Sequence, residues 1–341
     1  MKKLSFINKV IYFFNTIAAA TLLISYILPY VEPNNFALLS VLSLAVPILL
    51  VLNILFMIYW LLRVKKQLLL SLIVLLLGYS YLGLLYKFSS SKDIDNANNI
   101  SVMNFNVRLF NLYDWINTPN LETEIESFIN KAQPDVIAFQ EYHPHKNVKL
   151  SNYKYKHEVL KGKRVKFGQA IFSKFPIINS GSVEFPNTAN NAIFADIVKG
   201  VDTLRVYNVH LQSSHIDPNL ENYNKEDSER LLKGVKQTFK MQQTQAELFL
   251  MHKKTSPYKT IVCGDFNNTA YSYVYKEISE GMKDTFKEAG NGFGRTFAFK
   301  YFPIRIDFIL VDEVFEVNGF KTYDNKLSDH FPIMTKINLH K

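Results

Sequence analysis

The sequence predicts a chain in two parts: three membrane-spanning helices, followed by a layered α/β or α+β domain. Three observations predict this. The first quarter of the 341 residues is apolar and nearly free of charge. From residue 100 onward, short runs rich in Val, Ile, Phe and Tyr recur, with helical stretches between some of them. Polar and charged residues then appear repeatedly where those runs end.

The membrane segment comes first. Residues 10–30, 36–62 and 68–86 contain no Lys, Arg, Asp or Glu. Each is near or above the roughly 18–20 residues that a helix needs to cross the hydrocarbon core. A cleaved signal peptide accounts for one such stretch, not three. Buried helices of soluble proteins are seldom apolar all round for so long. Residues 1–90 hold seven Lys or Arg against one acid, Glu32, so most of the net charge of +9 resides in this segment. Three lysines (Lys2, Lys3, Lys9) precede the first stretch and three basic residues (Arg63, Lys65, Lys66) follow the second, whereas connector 31–35 has none. The positive-inside rule therefore puts the N-terminus and the second connector in the cytoplasm. Three spans leave the following domain on the extracytoplasmic side of a multi-pass cell-membrane protein, and two spans would leave it in the cytoplasm. The divisions expected are a membrane segment 1–88, a polar linker 89–99 and a domain 100–341.

Within the domain, strands are predicted at 100–107, 136–139, 169–172, 192–197, 204–211, 260–263, 306–311 and 333–337. Apolar residues at helical spacing predict helices at 121–131 and 227–253. The single cysteine, Cys263, excludes an intramolecular disulfide and a multi-cysteine zinc site, and its apolar surroundings make it a buried strand residue. After residue 90 the chain has 32 basic and 29 acidic residues, so its overall charge gives no nucleic-acid footprint. The basic run from Lys154 to Lys166 is expected to be a solvated hairpin. The polar segment 212–229, with His215, Asp217, Asp227 and Glu229, is expected to be a loop leading into a helix.

The chemistry-bearing residues sit at strand ends. Asn106 follows Val102-Met103-Asn104-Phe105, and Gln140-Glu141 follows Val136-Ile137-Ala138-Phe139. Asn208 and His210, two apart, share one face of a strand. Asp265 and Asn267 follow Ile261-Val262-Cys263-Gly264, Asp307 lies inside Arg305-Ile306-Asp307-Phe308-Ile309, and Asp329-His330 precedes Phe331-Pro332. A carboxylate among apolar strand residues needs a metal, a cation or a hydrogen-bonded partner. Taken singly, each motif has an ordinary structural reading: a strand end, a turn, an ion pair of Asp307 with Arg305 or Arg295, or a satisfied core histidine.

In their joint order these stretches resemble the endonuclease/exonuclease/phosphatase superfamily, the DNase I-like group that includes nucleases, inositol polyphosphate phosphatases and neutral sphingomyelinases. The matching segments are 104–108, 135–141, 168–177, 208–211, 264–267, 305–310 and 328–333, in family order. The resemblance implies an α+β fold, a four-layered α/β/β/α sandwich of two mixed β-sheets, with the site at one end. It implies an Mg²⁺- or Mn²⁺-dependent phosphoric ester hydrolase. Glu141 would be the main metal carboxylate, with Asn106 and Asp329 contributing directly or through water. Asp307 would orient His330, either Asp265 or His330 would serve as base, Asn267 would stabilise the phosphate, and His210 would be a further phosphate contact or proton donor. Asn208 and Arg305 are candidate substrate contacts. The expected substrate is DNA or RNA, with phospholipid, phosphoinositide or sphingomyelin as the alternative. The contrasting class is a non-catalytic membrane-tethered binding domain. The expected partners are a lipid bilayer and a phosphate ester, without an obligate protein partner.

Overall fold

The computed structural model describes residues 4–89, 92–214, 225–300 and 302–339. Lys2 and Lys3, and His215 and Asp217 of the polar segment, lie outside the described residues.

Helix α1 (Phe6–Ser25) is capped by Ser5, whose hydroxyl accepts from the backbone N–H of Asn8. Helices α2 (Pro33–Val41) and α3 (Val46–Leu62) each carry a proline in the first turn, where the missing N–H costs nothing. The stretches Phe6–Tyr30 and Pro33–Leu62, 25 and 30 residues long, are long and apolar enough to cross a membrane. The third stretch departs from a simple span. It divides into α4 (Leu68–Leu77) and α5 (Tyr79–Leu85), bent by 78° at Gly78. The Tyr26 ring explains the break: a Cβ on Gly78 would lie 2.0 Å from that ring, and the Tyr26 hydroxyl donates to the Val74 carbonyl at 3.0 Å. Buried polar side chains join the three apolar stretches. Asn15 donates to Ser71 at 2.6 Å, Ser71 to Asn53 at 3.1 Å, and the Trp60 indole to Asn15 at 2.9 Å.

The domain holds two six-stranded sheets. The first comprises β1 (Ile100–Asn106), β2 (Val136–Tyr142), β3 (Tyr155–Lys161), β4 (Phe167–Ser173), β11 (Phe315–Thr322) and β12 (Ile333–Leu339), in the order β11-β12-β1-β2-β4-β3. The second comprises β5 (Ile177–Glu184), β6 (Asn191–Lys199), β7 (Asp202–His210), β8 (Lys259–Asp265), β9 (Met282–Asp284) and β10 (Asp307–Asp312), in the order β5-β6-β7-β8-β10-β9. Both are mixed, because β1–β2 and β7–β8 pair in parallel and the other pairs are antiparallel. Helix α6 (Leu121–Ala132) covers the first sheet with Leu121, Ile125 and Ile129. Helices α7 (Lys225–Lys253) and α8 (Tyr273–Ser279) cover the second through residues such as Ala246, Phe249, Val274 and Ile278. This is the expected four-layered α+β sandwich.

The period-2 alternation of strands places the site. Val102, Val136, Val206, Cys263 and Ile309 face the layer between the sheets, while Met103, Ile137, Tyr207, Val262 and Phe308 face the helices. Continuing along the inner face, the apolar residues give way to Asn104 and Asn106 on β1, Gln140 on β2, Asn208 and His210 on β7, Asp265 on β8 and Asp307 on β10. Strand register puts His210 and Asp307 opposite Asp265, and Asn106 opposite Gln140. The inter-sheet layer is therefore apolar over most of its length and polar at one end.

Asn208 ties the sheets together there. It is fully buried, donates to the carbonyls of Phe139 (2.7 Å) and Ala170 (3.1 Å) across the layer, and accepts from Gln140 at 2.6 Å. Replacing it with leucine strands those partners. Asn208→Leu is expected to destabilise the chain by about 2–4 kcal/mol, read from denaturant unfolding of the full chain. A change below about 0.5 kcal/mol, the usual surface value, would count against this structural role.

Candidate active site

The site assembles from the ends of β1, β2, β7, β8 and β10 and the loop before β12. The Asn106 amide donates to Glu141 Oε1 at 3.2 Å and to Asp265 Oδ2 at 3.0 Å, and its oxygen accepts from the Arg108 backbone N–H at 3.1 Å. By alternation Glu141 should face the helical layer. The register shift between Phe139 and Tyr142 and a left-handed φ of 47° at Glu141 turn it toward Asn106 instead. Asn267 also has a left-handed backbone, φ 49°. Its N–H donates to Asp265 Oδ1 at 2.8 Å and its amide to the Leu211 carbonyl at 3.0 Å. Two non-glycine residues in this strained region beside buried carboxylates mark a place where side-chain placement outweighs backbone comfort.

Asp265 lies at the centre. His210 Nε2 is 3.8 Å and His330 Nε2 3.7 Å from its Oδ2. His330 Nδ1 is 2.9 Å from Asp307 Oδ2, and Asp307 Oδ1 accepts from Asn104 at 3.4 Å. Burial alone would lower the His330 pKa, but Asp307, Asp265 and Asp329 outweigh it and raise it to about 10. Burial raises the Asp265 carboxyl to about 6, a shift that Asp307 adds to and that His330, His210 and the Asn267 N–H oppose. The arrangement thus holds a proton on the imidazole between two carboxylates, ready to be passed.

Asp265, Asp307 and His330 are also close enough together to hold a metal ion. The wider donor set does fit a hard cation. Glu141, Asp265, Asp307 and the Asn106 carbonyl are all oxygen donors, and no Lys or Arg among the described residues pairs with those three carboxylates. Three carboxylates gathered without a Lys or Arg partner among the described residues favour added positive charge.

The other predicted site residues are placed differently. Asp329 is held at 3.0 Å by Arg108 and accepts from Ser328 at 3.1 Å, so in this arrangement a guanidinium occupies the carboxylate expected on a metal. Asn208 and Arg305, expected as substrate contacts, need correction. Asn208 is spent on linking the sheets, as above. Arg305 is buried, ion-paired with Asp284 at 2.7 Å, and enclosed by the rings of Phe286, Phe308 and Tyr275. The Asp307–Arg305 pair that the sequence allowed is therefore absent.

Several supporting residues were not foreseen. The Gln242 amide, on α7, donates to the carbonyls of Gln212, Phe266 and Asn267, and its oxygen accepts from Asn268 at 2.7 Å, which fixes the loop carrying Asp265 and Asn267. The Thr296 hydroxyl accepts from the N–H groups of Ile306 (2.9 Å) and Asp307 (3.0 Å). A glutamine breaking the apolar face of a long helix is a signal for the first; Thr296 carries none.

Residues 103–330 match the sequence model of the endonuclease/exonuclease/phosphatase family, and residues 8–85 match a model described as a domain of unknown function. No curated protein matches the chain. Similar solved structures include the endonuclease/exonuclease/phosphatase from Bacteroides vulgatus, 20% identical, covering 71% of this chain and 99% of that one at a TM-score of 0.53. The human Nocturnin catalytic domain is 17% identical, covering 71% and 94% at 0.54. A Bacteroides thetaiotaomicron mannosyl-6-phosphatase is 18% identical, covering 70% and 99% at 0.53. At these identities the likeness is one of fold.

Asp307→Asn removes the main attraction that raises His330. Its titration should fall well below about 10, followed by imidazole NMR, and turnover should fall on the order of 10²–10⁴-fold, as for a lost acid–base group. Because the folded pKa is raised, this contribution to stability is complete below about 6.5 and vanishes as pH climbs through about 10. The melting-temperature gap between wild type and variant should close over that interval. A gap independent of pH would remove the dyad.

Proposed function

Because the chain belongs to the endonuclease/exonuclease/phosphatase family, we propose that it is a membrane-anchored, divalent-metal-dependent hydrolase of phosphodiester bonds, acting on nucleic acid. The observation that carries this reading is the convergence of Asn106, Glu141, His210, Asp265, Asn267, Asp307 and His330 at one polar end of an otherwise apolar inter-sheet layer. In-line hydrolysis needs an oriented water, charge relief on phosphoryl oxygens and a proton for the leaving oxygen. Glu141 and Asn106 would hold Mg²⁺ or Mn²⁺, which supplies the charge relief. Asp265 orients and deprotonates the water. His330, kept cationic by Asp307, and His210 face the phosphate.

Exposed aromatic rings beside the site favour nucleic acid. Trp115 and Tyr113 meet edge to face at 5.1 Å, and the Arg108 guanidinium, which also binds Asp329, lies 4.6 Å over Trp115. Bases stack on such platforms regardless of sequence. A lipid phosphodiester is the second reading. Its support is that the membrane segment abuts the helix holding the catalytic loop: the Asn34 N–H donates to Gln243 at 2.8 Å, one residue from Gln242.

The helices would place the domain outside the cell. Connector 31–35 meets α7 through Asn34, at the domain end of the bundle, and the basic connector 63–67 is the one expected in the cytoplasm. On intact cells a membrane-impermeant maleimide should label a cysteine introduced at 33 and not one at 65, which should react only after permeabilisation. Labelling of both from one side would refute the topology.

Full-length protein in detergent should cleave DNA or RNA with Mg²⁺ or Mn²⁺ and not with EDTA. Glu141→Ala should abolish the metal stimulation while leaving the melting curve in place. Metal-dependent cleavage of phosphatidylinositol phosphates or sphingomyelin, with nucleic acid untouched, would establish the second reading. Hydrolysis of none by folded protein would favour a binding-only domain.

A further inference from the structure

A cavity of about 1040 Å³ opens beside the point where the N-terminal helices join the domain. None of the active-site residues lines it. Five cations do: Lys92, Lys131, Arg295, Lys321 and Lys336. Two acids, Asp93 and Asp324, oppose them, and Asp93 is committed to Lys336 at 2.8 Å. Lys131, Arg295 and Lys321 have no carboxylate within ion-pair distance among the described residues. Arg295 lies 4.3 Å over the Phe331 ring and Lys321 4.7 Å over Tyr323, contacts that hold the cations without neutralising them.

The position of this cavity is set by the last apolar helix. Helix α5 ends at Leu85, and two residues later Lys87 pairs with Gly292 in an antiparallel bridge, its N–H donating to the Gly292 carbonyl at 2.8 Å. The Tyr86 ring meets Phe293, a cavity residue, at 4.8 Å and Phe88 at 4.7 Å. Phe88 is 88% exposed and Phe293 45%. Exposed aromatic rings at the end of an apolar helix are the side chains that anchor at the headgroup level of a bilayer. In a bilayer that held the N-terminal helices, rings so placed would sit at the headgroup level, and the cavity beside them keeps Lys131, Arg295 and Lys321 without an acidic partner among the described residues.

We propose that this cavity binds the phosphate headgroup of one anionic phospholipid from the membrane that holds the N-terminal helices. Lys131, Lys321 and Arg295 take the phosphate oxygens, and Phe88 and Phe293 flank the acyl chains. The site rests on the membrane reading of residues 6–88 and is separate from the hydrolytic one.

The test uses the full chain in nanodiscs of phosphatidylcholine containing a minor fraction of phosphatidylglycerol, with lipid retention counted by native mass spectrometry. Wild type should retain one phosphatidylglycerol in preference to phosphatidylcholine. Lys131→Gln/Lys321→Gln should lower that preference by about tenfold or more, as expected for two cations removed at a lipid surface, and Lys131→Arg/Lys321→Arg should keep it. Inorganic phosphate at millimolar concentration should not displace the lipid. Equal retention by the charge-removed variant, or no preference in wild type, overturns the proposal. Displacement by inorganic phosphate also overturns it, in favour of a soluble-anion site. Flotation with pure phosphatidylcholine vesicles, resistant to alkaline carbonate, checks the membrane reading independently. A chain that floats but shows no preference fails only on the lipid site.

Discussion

The constraint on which the structure depends is that two sheets packed face to face must end somewhere, and here the layer between them ends in buried polar groups. Leaving such groups unpaired costs roughly 1–3 kcal/mol each, and more when they are charged. The fold answers with a continuous network across the layer. Gln140 bridges Asn104 and Asn208, Asn208 reaches back to the Phe139 and Ala170 carbonyls, and Asn104 reaches Asp307. That network fixes the spacing of the sheets at the point where Asp265, Asp307 and His330 must meet. The groups that hold the sheets together and those of the candidate active site are successive residues on the same inner strand faces.

Strand direction makes this possible. The chain runs the same way in β1 and β2, and in β7 and β8, so four inner faces deliver their last residues to one end. Strand β10 runs the other way and begins at that end, which is why Asp307 stands at its first position opposite Asp265. Helix α7 completes the support. It packs Phe249 and Ala246 on the second sheet, holds the loop after β8 through Gln242, and meets the N-terminal helices through Gln243. One helix face therefore couples the bundle to the loop that carries Asp265 and Asn267.

Much of this was legible in the sequence because it follows from period-2 alternation. Residues such as Val206-Tyr207-Asn208-Val209-His210 announce both the strand and the face on which its polar end lies. Strands β3, β5, β9 and β11 were not read. In β5, Ile177–Glu184, most residues are exposed or half-buried, and β9 spans only three residues, so neither carries an alternating apolar signal. The break at Gly78 was hidden because it depends on a ring from another helix, Tyr26. Arg305 misled for the opposite reason. It lies in a motif stretch two residues before Asp307, yet its partner, Asp284, comes from a three-residue strand that no pattern reveals.

Charge finally separates the candidate active site from the basic cavity. The polar end of the inter-sheet layer collects Glu141, Asp265 and Asp307, none of them paired with Lys or Arg among the described residues, a charge balance that suits a cation. The cavity where the N-terminal helices join the domain is lined by lysines and an arginine in excess over carboxylates, a balance that suits an anion. They are linked by a short path: Arg295 stacks on Phe331, its Nε donates to the Phe297 carbonyl at 3.3 Å, and the Phe297 ring stands 5.0 Å from His330. Packed rings and one backbone segment lie between the Arg295 guanidinium and the imidazole. The N-terminal helices thus join the domain beside the same loop that shapes the environment of His330.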